Sequence, residues 1–362
     1  MIVAIHKAAL TTAYGSAAWA LIEAALQRYL AKVTATTPVS VLYLDDPAAS
    51  GLTGEAAAAA GDSESAARLI RVQAQRMSPR PAAVLIIGGD EIVPMIRLPK
   101  PATLVEDQDQ EIPTDNPFGC LTGDASRYVF PDMAVGRIVA SVATGADDIA
   151  AQLDRAVQLR STAAMSTGAF VVSNREWVDA SMAVAAEISA LPQVFQSAPL
   201  YRMSGGADDL NRSILFFNLH GVLTDPGWYA GTSSTPWRVM SPDDLAGANV
   251  SGATAMACNC YGALTRGVAP ARSVALTLLR RGCAHFIGST GYAFGALPPQ
   301  TLDFSEELAR RFFGQLAAGF PAGLALHRAR REYVQARVAQ GALDNRDYKT
   351  ALQFVFWGDP LS

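Results

Sequence analysis

The chain has 362 residues, half of them hydrophobic and 17% charged, with a formal net charge of −4 at pH 7. That length exceeds one ordinary core and predicts two domains or two fused subdomains. Without a basic excess, nucleic acid or an anionic membrane is not the expected partner, and the apolar runs stop short of the roughly 18 residues that a membrane-spanning helix needs.

The first residues, Met1 to Gly15, lack a charged segment followed by a long apolar one, so no signal peptide is expected and the cytoplasm is the expected compartment, with secretion as the alternative if the chain is trimmed from a longer one. Reduced, free cysteines go with that expectation. Cys258 and Cys260 also lie too close along one strand end to form an ordinary bridge.

In chain order, Ile2–Ile5, Val39–Leu44 and Ala83–Ile87 read as short buried strands. Apolar spacing predicts helices over Trp19–Leu30 and from Ser63 to Met77. Such alternation predicts parallel βαβ units whose strands are buried on both faces. Pro94–Tyr128 is irregular and rich in proline and acids, either a functional loop or a solvated insertion. Met133–Val139 is a further strand and Asp147–Leu159 a helix that closes the first half, which predicts a division into 1–162 and 163–362.

The second half restarts the pattern with a strand over Ala169–Val172 and a helix over Trp177–Leu191. A short strand within Val194–Tyr201 and a helical turn at Ala207–Arg212 follow, then a buried strand from Ile214 into His220-Gly221. Leu223–Met240, rich in tryptophan and glycine, is expected to be a loop. Ser241-Pro242-Asp243-Asp244 reads as a helix start, with a capping serine, an early proline and first-turn acids. The strand Ala253–Ala257 runs into Cys258-Asn259-Cys260-Tyr261-Gly262, and a helix is predicted over Pro270–Arg281. A last buried strand, Ala284–Ile287, ends in Gly288-Ser289-Thr290 before a mainly helical C-terminal stretch.

In open α/β sheets functional groups gather at the carboxyl ends of strands. His220, Cys258 or Cys260, and Ser289-Thr290 all fall there. A thiolate is the nucleophile of cysteine chemistry, and an imidazole beside it favours or accepts the proton. The oxyanion that attack creates must meet backbone N–H groups. Gly221 and the nucleophile's own N–H are candidate donors, and glycine lets a carbonyl approach closely. Each residue also has an ordinary reading: a strand-end histidine is often structural, and a buried cysteine is often a small hydrophobe. Cys258 and Cys260 with His285 or His220 make a weak zinc set, so neither metal nor cofactor is expected. His6 and His327 read as structural, and Cys120 and Cys283 as inert. No Gly-x-Gly-x-x-Gly follows the first strand and no Walker sequence is present, which sets a nucleotide-binding reading aside.

Several blocks together resemble the gingipain-like cysteine peptidases of family C25, in the clan of caspase-like and legumain-like proteases. They are Ala82–Pro94, Thr114-Asp115-Asn116-Pro117-Phe118-Gly119 with Gly123-Asp124, and Pro131–Ile138. In the same order follow FFNLHG, the cysteine strand, Ala284–Thr290 and the terminal FWGDPL. Each block is short, and their order and spacing carry the resemblance. It implies an α/β fold of the caspase-like three-layer sandwich type, in two side-by-side subdomains with mainly parallel sheets. It also implies an endopeptidase with a His/Cys dyad, an acyl-enzyme and a polypeptide substrate, with a regulatory protein as the further expected partner.

By motif, His220 matches the catalytic His-Gly of that family. Cys258 follows an alanine, as in several clan members. Cys260 is favoured, because Pro270 then falls at the family's proline and Gly262 makes the caspase Cys-x-Gly. The family places an acid after the strand preceding the histidine strand. Here Asn174 takes that place, with Glu176 two residues on. The resemblance further points to Asp179 as the acid that would hold a basic P1 side chain, although an ordinary first-turn acid explains it equally. Trp228, Tyr292 and Phe294 are candidate cleft walls or core residues. A scaffold of the same fold without activity stays open beside the peptidase, because the acid is missing at Asn174.

Overall fold

The computed structural model describes residues 1–140, 145–161, 168–189, 194–197, 207–232, 234–264, 272–296 and 302–362. The first half is built from β1 (Ile2–Ile5), α1 (Lys7–Tyr14), α2 (Ser16–Val33), β2 (Ser40–Tyr43), α3 (Ser63–Arg76) and β3 (Ala83–Ile87). A two-stranded insertion follows, β4 (Ile96–Pro99) and β5 (Glu111–Thr114), then β6 (Ala134–Ile138) and α4 (Gly145–Leu159). The second half contains β7 (Ala169–Asn174), α5 (Val178–Ala186), β8 (Phe195–Ser197) and β9 (Ile214–Asn218). Next come β10 (His220–Val222), β11 (Asp225–Gly231), β12 (Pro236–Met240), β13 (Thr254–Ala257), α6 (Val274–Arg280) and β14 (His285–Ser289). The chain closes with α7 (Phe304–Ala317), α8 (Ala322–Ala339), α9 (Asn345–Gln353) and β15 (Phe354–Trp357).

One ten-stranded sheet runs through both halves in the order β2-β1-β3-β6-β15-β14-β13-β9-β7-β8. The strands of each half are parallel among themselves. Between them lies β15, parallel to β6 and antiparallel to β14, with Ser289 opposite Phe354 and Phe286 opposite Trp357. The two half-sheets therefore run in opposite directions. The carboxyl ends of β9, β13 and β14 share one edge, and the segment leading into β6 emerges at that same edge. The boundary expected at 162–163 falls outside the described residues.

Alternate residues of the second-half strands enter different cores, as the pleat requires. Phe170, Val172, Leu215, Phe217, Ala255 and Ala257 pack with Leu278 and Leu279 of α6 on one face. Val171, Phe216, Met256 and Ile287 pack with Leu308, Phe312 and Phe313 of α7 on the other. Strands buried on both faces read as continuous apolar runs, and helices on both faces make three layers. In the first half, Ile22, Leu26 and Tyr29 of α2 share a core with Ile149 and Leu153 of α4 and with β1 and β3.

Three expectations are corrected. Leu223–Met240 is not a loop: β10, β11 and β12 form an antiparallel three-stranded sheet. Trp228 and Ala230 alternate inward, and Gly231 at φ 89° turns the chain into β12. The serine-proline-acid helix start yields only a 3-10 turn, Asp243–Leu245. The terminal Phe354–Trp357 run, within the stretch expected to be mainly helical, is the strand that joins the halves. Pro270 lies outside the described residues. The described helix there starts at Val274, with Ser273 Oγ accepting from the Leu276 N–H at 3.2 Å.

Candidate active site

Strand β9 ends at Asn218 and the chain turns outward, so His220 is the first residue of the small sheet and only half-buried. Its Nε2 lies 3.2 Å from the Gly231 carbonyl and 3.2 Å from Asn174 Nδ2. In a neutral ring one nitrogen donates and the other accepts. Nε2 either donates to the carbonyl or accepts from the amide. In both cases Nδ1 is left without a hydrogen-bond partner among the described residues. The Trp177 ring lies 4.6 Å from the imidazole, centroid to centroid. Asn174, buried at the end of β7, accepts at Oδ1 from the Arg175 N–H at 2.9 Å and the Gly231 N–H at 3.0 Å. Burial lowers the His220 pKa, and the Gly231 carbonyl and the charge of Glu176 oppose that shift.

The two candidate thiols part company where β13 stops at Ala257. Cys258 stays in the ladder, its N–H donating to Phe217 O at 2.9 Å, and its side chain joins Met256 in the core under α7. Burial pushes that thiol well above its ordinary pKa, and the neighbouring Glu306 charge adds to the effect. Cys260 lies past the strand, half-buried, in a turn where Tyr261 takes φ 57°. Its Sγ accepts from the Ala293 N–H at 3.3 Å. Burial raises its pKa to about 11, and the Ala293 N–H acts in the opposite direction.

Gly221 packs directly on this turn. A Cβ at Gly221 would sit 2.0 Å from the Cys260 carbonyl oxygen, so no other residue fits. His220, Gly221, Cys260, Tyr292, Phe294 and Glu306 line one cleft of about 980 Å³. A second hollow of about 260 Å³ shares Gly221 and Cys260 and continues past Trp228 and Arg272.

Of the other expected residues, Tyr292 and Phe294 stand in the cleft wall, 5.3 Å apart at their ring centroids. Trp228 is 4% exposed and packs on Phe217 and Phe286, so it is a core residue that reaches only the smaller hollow. Asp179 is exposed in the first turn of α5 and does not line the cleft, and Glu176 is exposed beside Asn174. Glu106, Asp109 and Glu306 do line the cleft, and of these Glu306 is fully buried, in the first turn of α7. It accepts from Asn218 Nδ2 at 3.2 Å, the Ala296 N–H at 3.0 Å and Ser305 Oγ at 3.2 Å. Burial raises its pKa to about 7. In sequence it looks like an ordinary helix-start acid beside Glu307; only the packing of α7 against the sheet brings it to the cleft.

His6 caps α1, with Nδ1 accepting from the Ala9 N–H at 3.2 Å, and burial lowers the His327 pKa to about 4. Burial raises the pKa of Cys120 and of Cys283 to about 12. Among the described residues there is no group of three His, Cys, Asp or Glu side chains that could hold a metal, and no helix long and apolar enough to cross a membrane.

No curated protein sequence is significantly similar to this chain. Its fold is shared with the Arg-specific cysteine proteinase gingipain R, at a TM-score of 0.65 and 14% identity over 100% of this chain and 77% of that one. A complex of the Porphyromonas gingivalis RgpB pro- and mature domains matches at a TM-score of 0.66 and 13% identity, over 99% of this chain and 78% of that one. Identities this low speak for the fold, the caspase-like α/β architecture of the gingipains. Residues 20–362 match the sequence profile of Peptidase family C25, and the chain belongs to that family.

Proposed function

We propose that this cysteine peptidase cleaves polypeptides with Cys260 as nucleophile and His220 as its base. His220 Nδ1 takes the thiol proton as Sγ attacks the scissile carbonyl. The same imidazole then protonates the departing amine, leaving a thioester that water hydrolyses. The N–H groups of Gly221 and Cys260 are the proposed oxyanion donors. The observation that carries this reading is the backbone contact between Gly221 and Cys260 at the wall of one cleft. Cys258 also lines the cleft, and it is the weaker candidate because it is buried at the strand end with its side chain packed under α7. Separate Cys260→Ala and Cys258→Ala variants, assayed on a peptide library, test the assignment. Cys260→Ala should abolish cleavage and Cys258→Ala should retain it; the reverse pattern moves the nucleophile to Cys258.

A basic P1 residue is the proposed preference, with Glu306 in the role first given to Asp179. No lysine or arginine pairs with Glu306 among the described residues, and a buried carboxylate is best met by a cation. A P1 profile that favours Arg or Lys in the parent and loses that preference in Glu306→Gln supports it; an unchanged profile sinks it.

The gingipain relative solved as a complex of its pro- and mature domains supports a regulatory protein chain as a partner. A pro-segment peptide that fails to compete with substrate would count against it. The inactive-scaffold reading rests on Asn174. It predicts that an electrophilic peptide probe leaves Cys260 unlabelled whether or not His220 is present.

A further inference from the structure

The insertion between β3 and β6 sends a loop across to the active-site edge, and that loop carries Asp109. Both carboxylate oxygens of Asp109 are used on the two chains that flank the Cys260 thiol. Oδ1 accepts from the Tyr261 hydroxyl at 2.9 Å, and Tyr261 is the residue after Cys260. Oδ2 accepts from the Tyr292 N–H at 2.7 Å, and Tyr292 precedes Ala293, whose N–H meets Cys260 Sγ. Lys349, fully buried on α9, holds Oδ2 from behind at 2.7 Å and also pairs with Asp107.

The fit allows little play. A Cβ on Gly291 would lie 2.3 Å from Asp109 Oδ2. The Tyr261 N–H donates to the Gly291 carbonyl at 2.8 Å, so the cysteine turn and the Ala293 loop are also joined directly. Tyr261 holds a left-handed backbone conformation that a residue with a side chain adopts only where its surroundings over-determine it. The Asp109 hydrogen bond to its hydroxyl is part of that determination. A misplaced nucleophile loses rate steeply, even when the fault lies outside the reacting atoms.

We infer that Asp109 is a positioning residue for the nucleophile: by bracketing Tyr261 and Tyr292, it sets the Cys260 thiol against the Ala293 N–H. This rests on Cys260 being the nucleophile. Asp109 touches neither thiol nor substrate in this role, and it belongs to the half of the chain opposite the dyad. Lys349 serves it by compensating the carboxylate charge in a buried place, where an unpaired ion would be costly.

The test uses the full chain with Asp109→Asn and Tyr261→Phe. Asparagine keeps one acceptor oxygen where aspartate has two, so it cannot accept from both the Tyr261 hydroxyl and the Tyr292 N–H, and it carries no charge to pair with Lys349. Tyr261→Phe removes one hydroxyl only and keeps the fold testable if Asp109→Asn is unstable. Both variants should lower kcat, Asp109→Asn by about ten- to a hundred-fold, with KM changed less than about two-fold.

The pH dependence of Cys260 alkylation by iodoacetamide, read in a Cys258→Ala background, gives the decisive sign. Removing the Asp109 charge alone would make the thiol easier to ionise, whereas losing the Ala293 N–H makes it harder. The inference expects the alkylation profile to move to higher pH. A move to lower pH, or an unchanged kcat in Tyr261→Phe and Asp109→Asn, overturns it. If Cys260→Ala keeps activity, the nucleophile assignment fails instead, and the two failures are thereby told apart.

Discussion

Asn174 Nδ2 stands 3.2 Å from His220 Nε2, so an amide, and not a carboxylate, faces the back of the imidazole. Its Oδ1 meanwhile holds the Gly231 N–H, whose own carbonyl is the other neighbour of Nε2. Asp can keep both N–H contacts at Oδ1 while adding a charge. Asn174→Asp should therefore raise the His220 pKa, since a neighbouring anion favours the imidazolium. A general base must be neutral, so the acidic limb of the kcat/KM profile should move to higher pH by roughly one unit or more. An acidic limb that stays in place would show that position 174 does not address the ring.

The resting charge state of the pair follows from burial. The Cys260 thiol titrates near 11, and burial keeps His220 below its ordinary value, so thiol and imidazole are both neutral at pH 7. The alkylation rate of Cys260 in the free enzyme should then rise through the alkaline range without an acidic plateau. A plateau extending below pH 6 would instead reveal a preformed thiolate–imidazolium pair.

Gly221→Ala is the most direct geometric test. The added Cβ would meet the Cys260 carbonyl oxygen at 2.0 Å, against backbone that cannot rotate away. The two chain segments must separate, and activity should fall at least about a hundred-fold. Circular dichroism should report an intact sheet. Activity near the parent level would show that the contact between these segments is not needed for catalysis.

Glu306 should leave its mark on stability. Its folded pKa of about 7 lies above the ordinary carboxylate value, so the folded chain binds the extra proton. Stability is then fully present below about pH 4.5 and declines as pH rises towards 7, a loss on the order of 3 kcal/mol. Glu306→Gln removes that titration, and its chemical-denaturation curves should be flatter between pH 5 and 7 than those of the parent. Parallel curves would place the ionised carboxylate in a better-solvated site.

Much of the fold was legible in the sequence because its strands are buried on both faces and read as unbroken apolar runs; Ile2–Ile5 and Ala83–Ile87 match their predicted spans residue for residue. The hairpin through Trp228 was not legible, because glycines and prolines interrupt the alternation. The strand Phe354–Trp357 lies between the two half-sheets, a pairing across the whole chain that its local sequence does not encode.

By itself the sequence determined an α/β chain of buried strands with a histidine and cysteines just past strand ends, because hydrophobic period and turn residues are local properties. Only the tertiary structure decided the rest. The end of β13 separates Cys258 from Cys260, a backbone contact brings Gly221 to Cys260, and helix packing puts Glu306 in the cleft where Asp179 was expected. The opposed half-sheets carry Asp109 across to the thiol from about 150 residues away in sequence, a distance no local pattern encodes.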